Sequence, residues 1–426
     1  LARIKVPEIP SNMREYDKAP DNRVREAVMT ALALSQDRLD APVILEGLKD
    51  SAWEVRRMAC WAAGSQRLKE AVETLLGMLH HVDPHTGKVV QEGETHPRVK
   101  PLVLFNLEEI TGNTDIGTDP VLWRQYWERN KDRTLPPVKR FDVGTFGDVK
   151  LDFNDTFARR GTGPLVLVLP ETFRTCVYYM PYLNQWMFVK WVFINLPPVT
   201  NFPDVQYDAD GDPIYPVDIL VDAFEDMRKK RGVDTMILMG HWFTCWIAAK
   251  YAQKYPDRVE GLIMINPFAT NDTFSKRIDE AMRSGDPDAE FWAKISRKQI
   301  KAQSRYEGEV YAHYDITAHL GPKNRSDIEV GVLRRIWSDP NLTGGKMLMI
   351  PEFDIRGEET SKSPALIFFA KKGTELSGED DKNRLRRFYP RHIIVPGHND
   401  SGMLPFMEDP ERFEKALRMF VDKKVD

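Results

Sequence analysis

The stretch that decides the fold is Val233-Asp-Thr-Met236-Ile-Leu-Met239-Gly240-His241-Trp242-Phe243-Thr244-Cys245-Trp-Ile247. Met236 to Met239 is a short uncharged apolar run, the pattern of a strand buried on both faces. Gly240 closes it, and a helix follows at once through Ala248, Ala249 and Tyr251. A strand that turns into a helix across a glycine is the corner written G-x-S-x-G, where a serine nucleophile is raised above a sheet. In this register Trp242 stands where the serine belongs and Thr244 replaces the second glycine. The corner is spelled out without its reactive atom.

Working outward, continuous apolar runs recur at Leu165 to Leu169, Val189 to Asn195, Leu262 to Asn266, Ala365 to Phe369 and Ile393 to Val395. Runs of this kind suit parallel strands covered on both sides. Helical stretches separate most of them, such as Pro216 to Arg231, with Ile219, Leu220, Ala223, Phe224 and Met227 on one face and Gly232 just past the end. Phe141 to Val143 and Val149 to Phe153 flank two glycines and predict a hairpin. Strands alternating with helices predict an α/β class, a doubly wound and mostly parallel sheet.

The strand order, the corner at Gly240 and the Pro396-Gly397-His398 turn before a final helix (Asp409 to Val421) together resemble the α/β-hydrolase fold superfamily. Tyr255-Pro256-Asp257-Arg258-Val259-Glu260-Gly261-Leu262 and Glu408-Asp409-Pro410-Glu411-Arg412-Phe413 match wording common in that superfamily. The resemblance covers about residues 141–426 and implies a helical cap inserted at about 271–345. It also implies a set of catalytic positions, each of which has to be found separately because a fold does not carry a function.

His398 matches the family's general base and is the retained triad member. A histidine in a terminal turn also commonly serves only to bond backbone. The acid position aligns with Gly373, with Glu375, Glu379, Asp380 and Asp381 following nearby; four acids in a loop also fit a solvated face. Asn266, where some relatives carry an alternative acid, is not a carboxylate. The oxyanion positions are Pro170, Glu171 and Phe243. Proline has no amide hydrogen to donate, and a glutamate brings negative charge to the place an oxyanion would form. Leu196-Pro197-Pro198-Val199 replaces the Gly-rich turn after the fourth strand. Cys245, in the first turn of the following helix, is the alternative nucleophile, because a helix N-terminus lowers a thiol pKa. Its three-residue offset from Trp242 turns it away from the site, so a core cysteine is the plainer reading. Removing a serine hydrolase's nucleophile alone costs roughly 10⁶-fold in turnover. With nucleophile, acid and oxyanion loop all altered, the resemblance implies a non-catalytic fold. An active ester or thioester hydrolase built on His398 is the alternative.

The first third reads differently. Asp21-Asn-Arg-Val24-Arg25 recurs as Asp50-Ser-Ala-Trp53-Glu-Val55-Arg56-Arg57 and more loosely as His96-Pro97-Arg-Val99-Lys100, each followed by apolar residues at helical spacing. Val24 and Val55 lie 31 residues apart, and Val55 and Val99 lie 44 apart, the excess falling in a Gly- and Pro-bearing insertion near Asp83 to Thr95. Units that bury an apolar face only against their neighbours explain such a period. The Asp-x-x-Val-Arg phrase resembles HEAT-like repeats, with Leu107 to Gly112 and Trp123, Tyr126 and Trp127 as a closing cap. Helical repeats are expected over 1–130, a linker over 131–140 rich in charge and proline, and the α/β-hydrolase-like domain over 141–426. HEAT-like arrays bind protein partners or brace a neighbouring domain. His80, His81, His85 and His96 in and around the insertion are candidate metal ligands, but adjacent histidines diverge and polar loop residues are the simpler reading, so no metal or other cofactor is expected.

Composition bounds the rest. Hydrophobic residues make up 42% and charged residues 29%, ordinary globular values that allow a large core. A net charge of -4, with Lys and Arg scattered, argues against nucleic acid. Three distant cysteines (Cys60, Cys176, Cys245) make neither a disulfide framework nor a thiolate site. No run is long and apolar enough for a membrane span. The chain starts at Leu1 rather than Met, which leaves export and compartment open. The reading is a binding or assembly protein with protein partners, whose former pocket is plugged by aromatics such as Trp242, Trp246 and Tyr179 or takes a small apolar ligand.

Overall fold

A computed structural model describes residues 15–34, 41–83, 85–136, 138, 141–155, 161–170, 176, 179–197, 201–207, 215–242, 244–267, 269, 360–369, 379–397 and 404–422. The described residues up to position 138 form one compact unit and those from Phe141 onward form another. The expected cap at 271–345 lies outside the described residues.

The first unit is helical: α1 (Asn22–Leu34), α2 (Ala41–Gly47), α3 (Trp53–Ser65), α4 (Val72–Met78), α5 (Lys100–Thr111) and α6 (Pro120–Asn130). Helices α1, α3 and α5 stack in order around Val28, Val55, Ala59, Val99 and Val103, which are buried. The repeated arginine explains the period. Arg25 donates to the carbonyls of Ala19 and Pro20 and grips both oxygens of Asp50 at 2.7 and 2.9 Å. One repeat later Arg56 donates to the carbonyls of Asp50 and Ser51 and grips Glu94 at 2.5 and 3.1 Å. Each acid also accepts an amide two residues on, Ala52 N at 2.8 Å and His96 N at 2.9 Å. One arginine thus closes its own loop and fastens the loop of the next repeat, so the motif is a ladder between repeats. Lys100 takes the third position.

The insertion between α4 and α5 is a two-stranded ribbon, β1 (His81–Val82) against β2 (Val89–Gln91). The stretch expected to be an exposed linker is fastened down in its first half. Arg67 donates to the carbonyls of Glu109, Ile110, Leu135 and Pro136, Lys69 Nζ to those of Lys131 and Arg133, and Leu135 is buried. Backbone carbonyls attract the two cations and hold the proline-bearing segment against the helices.

The second unit is an eight-stranded sheet: β3 (Asp142–Phe146), β4 (Val149–Asn154), β5 (Leu165–Val168), β6 (Lys190–Asn195), β7 (Met236–His241), β8 (Val259–Ile265), β9 (Ala365–Phe368) and β10 (His392–Val395). In space they run β10-β9-β8-β7-β5-β6-β4-β3, with β4 antiparallel to both its neighbours and β5 to β10 parallel. This order, with the antiparallel second strand and the crossed third and fourth, is that of the α/β-hydrolase fold. Strands β5 and β7 are buried at every residue because helices cover both faces. Helices α8 (Val217–Lys230), α9 (Thr244–Lys254) and α10 (Glu379–Phe388) share one core with the sheet. On the other face lie α7 (Met180–Leu183), α11 (Pro405–Glu408) and α12 (Pro410–Val421), where Phe413 stacks on Trp186 and Phe368 at 4.9 and 4.8 Å. Glu379 to Asp381, read as a possible loop of acids, is the first turn of α10, and Asp381 is buried.

Candidate functional site

The parallel strands end together at the corner between β7 and α9. Gly240 pairs with Met264 and His241 with Ile265, so the chain leaves the sheet one residue later. A side chain at Gly240 would place its Cβ 2.6 Å from both Cα and N of Cys245, so the helix packs back on the strand only over a glycine. Trp242 is at the apex with φ 56°, in the left-handed region that costs a non-glycine residue about 1 kcal/mol or more. The amide of Trp242 donates to Ile265 O at 2.8 Å and Cys245 N donates to Trp242 O at 3.1 Å, which locks the turn. The backbone of a nucleophile elbow is therefore present, strained residue included, and the residue in the strained seat is a tryptophan only 5% exposed.

Thr244 does work a glycine could not. Its hydroxyl accepts from His241 N at 2.8 Å and lies 3.1 Å from Leu169 O and 3.0 Å from His241 O, either of which takes its hydrogen. The side chain pins the elbow to the end of β5, next to buried Pro170. His241 itself is fully buried, and its Nδ1 lies 2.6 Å from Tyr179 Oη. Phe406 packs on Tyr179 at 5.2 Å between ring centres, so α7 and α11 converge behind this pair. The Tyr179–His241 bond was not legible in the sequence, since 62 residues separate the partners.

Cys245 is fully buried, with Sγ 3.5 Å from Ile265 O. Burial pushes its thiol well above the ordinary range, the opposite of what a thiolate nucleophile needs. Tyr389, also buried beside it, is pushed up for the same reason. Both groups beneath the elbow are thus held neutral. Pro170 offers no amide to an oxyanion. Asn266, φ 51°, ends β8 and is buried; its amide donates to Phe368 O. Where the Gly-rich turn is missing, Tyr215 Oη donates to Pro197 O at 3.0 Å and fixes the proline turn. The structure brings Trp242, Pro170, Cys245 and His241 together around one corner. Glu171, Phe243, Gly373 and His398 lie outside the described residues.

The four histidines of the first unit do not converge. His81 lies on β1, His85 sits in a turn where its amide donates to Asp83, and His96 stacks on Trp53 at 4.3 Å. Among the described residues no group of three or more His, Cys, Asp or Glu is placed to hold a metal ion, and no helix is long and apolar enough to cross a membrane.

Comparison with known proteins bears on both units. The family signature of HEAT repeats matches residues 9–88. A probable 1-acylglycerol-3-phosphate O-acyltransferase of Oryza sativa subsp. japonica is 43% identical over 47 residues, 11% of this chain and 11% of that protein. The human (lyso)-N-acylphosphatidylethanolamine lipase is 40% identical over 57 residues, 13% of this chain and 17% of the lipase. The chain therefore spans only a small part of the curated relatives it matches. Among solved structures, a thermophilic esterase from Thermogutta terrifontis has 18% identity and a TM-score of 0.46, covering 67% of this chain and 99% of the esterase. The protein joins HEAT repeats to an α/β-hydrolase fold.

Proposed function

We propose that this protein is a non-catalytic α/β-hydrolase-fold protein acting as a binding or assembly subunit, through its HEAT-repeat surface and the inserted segment at 271–345. The observation that carries this reading is Trp242: the strained seat that presents a nucleophile is filled by a buried tryptophan with no nucleophilic atom. Thr244 bonded inward, Pro170 without an amide hydrogen and Cys245 held neutral by burial all support it. A buried aromatic at the apex also favours a plugged pocket over one open to a small apolar ligand.

The rival is an ester or thioester hydrolase using His398 as base, favoured by relatives whose names are lipase and O-acyltransferase. One assay separates the two. The purified full chain, offered a panel of short- and long-chain esters and thioesters, is expected to give no turnover above buffer, with no change in His398→Ala. Turnover that His398→Ala abolishes would install the rival. For the binding role, native purification at low salt is expected to bring the protein down within a larger assembly, and recovery as a lone monomer removes that half of the proposal.

A further inference from the structure

We propose that the outer face of α10 and the turn beside it form a docking surface for an acidic protein segment. Helix α10 turns Asp381, Leu385 and Phe388 inward, followed by Tyr389. Arg384, half-buried at the flank, and Arg387 and Arg391, both exposed, follow at spacings of three and four. The chain before β9 passes close by: Ser361 N donates to Phe388 O at 2.8 Å, Ala365 N to Arg391 O at 2.9 Å, and the Arg391 guanidinium to Lys362 O. Exposed Lys362 therefore joins the same face.

What matters is which of these charges is neutralised. Glu379 takes Arg386 at 3.0 Å and lies 3.8 Å from Lys382. Among the described residues Arg387 is anchored only to the carbonyl of Asn383 at 3.3 Å, and Arg391 only to that of Lys362. Arg384 has no hydrogen bond or ion pair among the described residues. A carbonyl holds a guanidinium in place without cancelling its charge. A helix C-terminus favours cations in its last turn, where Arg386 and Arg387 lie. Arg384, Arg391 and Lys362 add charge beyond that need.

The chemistry of the face selects the partner. Its aromatics, Phe388 and Tyr389, are buried, so no ring is offered for stacking on a nucleobase. No large apolar side chain is exposed among the described residues from 360 to 397, so nothing wedges between lipid tails. Guanidinium forks pair best with planar carboxylates. Arg384 and Arg387 sit one turn apart, roughly 5 Å along the axis, which suits glutamates spaced one turn apart on a partner helix. The proposal is independent of the elbow, since a working hydrolase would carry the same face.

The test uses the full chain and a fluorescently labelled helical peptide with glutamate at every third or fourth position, alongside vesicles of phosphatidylcholine with phosphatidylserine. The peptide is expected to bind, more weakly as salt rises, and the triple variant Arg384→Ala/Arg387→Ala/Arg391→Ala is expected to weaken it about tenfold or more. A control triple in the first unit, Arg23→Ala/Arg124→Ala/Arg129→Ala, is expected to leave binding unchanged. If the first triple fails to fold, Arg387→Glu reverses charge at an exposed site and is expected to act in the same direction. No binding at low salt, equal weakening by the control, or binding to vesicles but not to the peptide would each overturn the proposal, the last assigning the face to a membrane surface.

Discussion

The loops at Asp50 and Glu94 and the elbow at Trp242 are both motifs written plainly in the sequence, and they have fared differently. In the loops every side chain that gives the motif its purpose is in place: Arg25 on Asp50, Arg56 on Glu94, each with the carbonyls behind it. At the elbow the backbone has the geometry of the corner in detail, down to a positive φ on a bulky residue, while the apex carries a buried indole with no nucleophilic atom. A motif whose purpose is structural needs its side chains to keep the fold. A motif whose purpose is chemical can lose them and remain a joint.

The largest expected effect falls on the ladder. The side chain of Glu94 is 6% exposed, so Arg56→Ala strands a buried carboxylate and should cost about 3–5 kcal/mol. Chemical denaturation of the variant measures it, and a loss below about 1 kcal/mol would show that the repeats hold together by apolar packing alone. Next comes Gly240→Ala, which forces a methyl against the Cys245 backbone and should cost about 3 kcal/mol. A tolerated alanine would mean that the elbow no longer needs the close strand-to-helix approach.

Trp242→Ser sharpens the comparison most directly. It rewrites the apex as a serine elbow, but leaves a cavity where the indole was and relieves little of the strain at φ 56°; it should cost about 2–3 kcal/mol, held to that by partial collapse of the pocket. No esterase activity is expected in this variant, because Pro170 still lacks an amide and Thr244 still bonds inward. Ester turnover above wild type would show that the rest of the machinery had been kept intact behind one changed residue.

Much of this was legible in the sequence, for identifiable reasons. Apolar runs such as Leu165 to Leu169 and glycines such as Gly240 declare buried strands and tight corners, since few residue types satisfy those constraints. The tryptophan at the apex position was legible because the register of G-x-S-x-G is rigid. The Tyr179–His241 bond, the clasp of Thr244 on Leu169 O and the arginine face of α10 were not, because each depends on residues that only the folded sheet brings together. The first turn of α10 reads as an acidic loop because a helix with a short apolar face and acids at its start gives little periodic signal.

The smallest effect is electrostatic and belongs to the third loop of the ladder. His96 stacks face to face on Trp53, with Arg98 lying 5.9 Å from the same ring. Burial in that stack pulls its imidazole from 6.5 down to about 4, outweighing the opposing pull of the Glu94 carboxylate, while Arg98, Arg56 and Arg57 push the same way as burial. Its Nδ1 accepts Arg98 N at 3.3 Å, so a proton there would also displace a hydrogen bond. Because the folded pKa lies below the unfolded one, the unfolded chain binds more protons between about pH 6.5 and 4, and stability falls as pH drops through that window. Allowing for the partial exposure of the ring, the loss should be about 1–2 kcal/mol. The carboxylates Asp50 and Glu94 are held low by Arg25 and Arg56 and give way only in stronger acid, while burial lowers the pKa of His80 too, so the part of His96 is read as the difference between the wild-type chain and a variant without its imidazole. His96→Phe keeps a ring against Trp53 without a titrating nitrogen, and should flatten the melting temperature between pH 6.5 and 5. A slope unchanged in that variant would move the acid sensitivity to another group and leave the stack of His96 on Trp53 as packing alone.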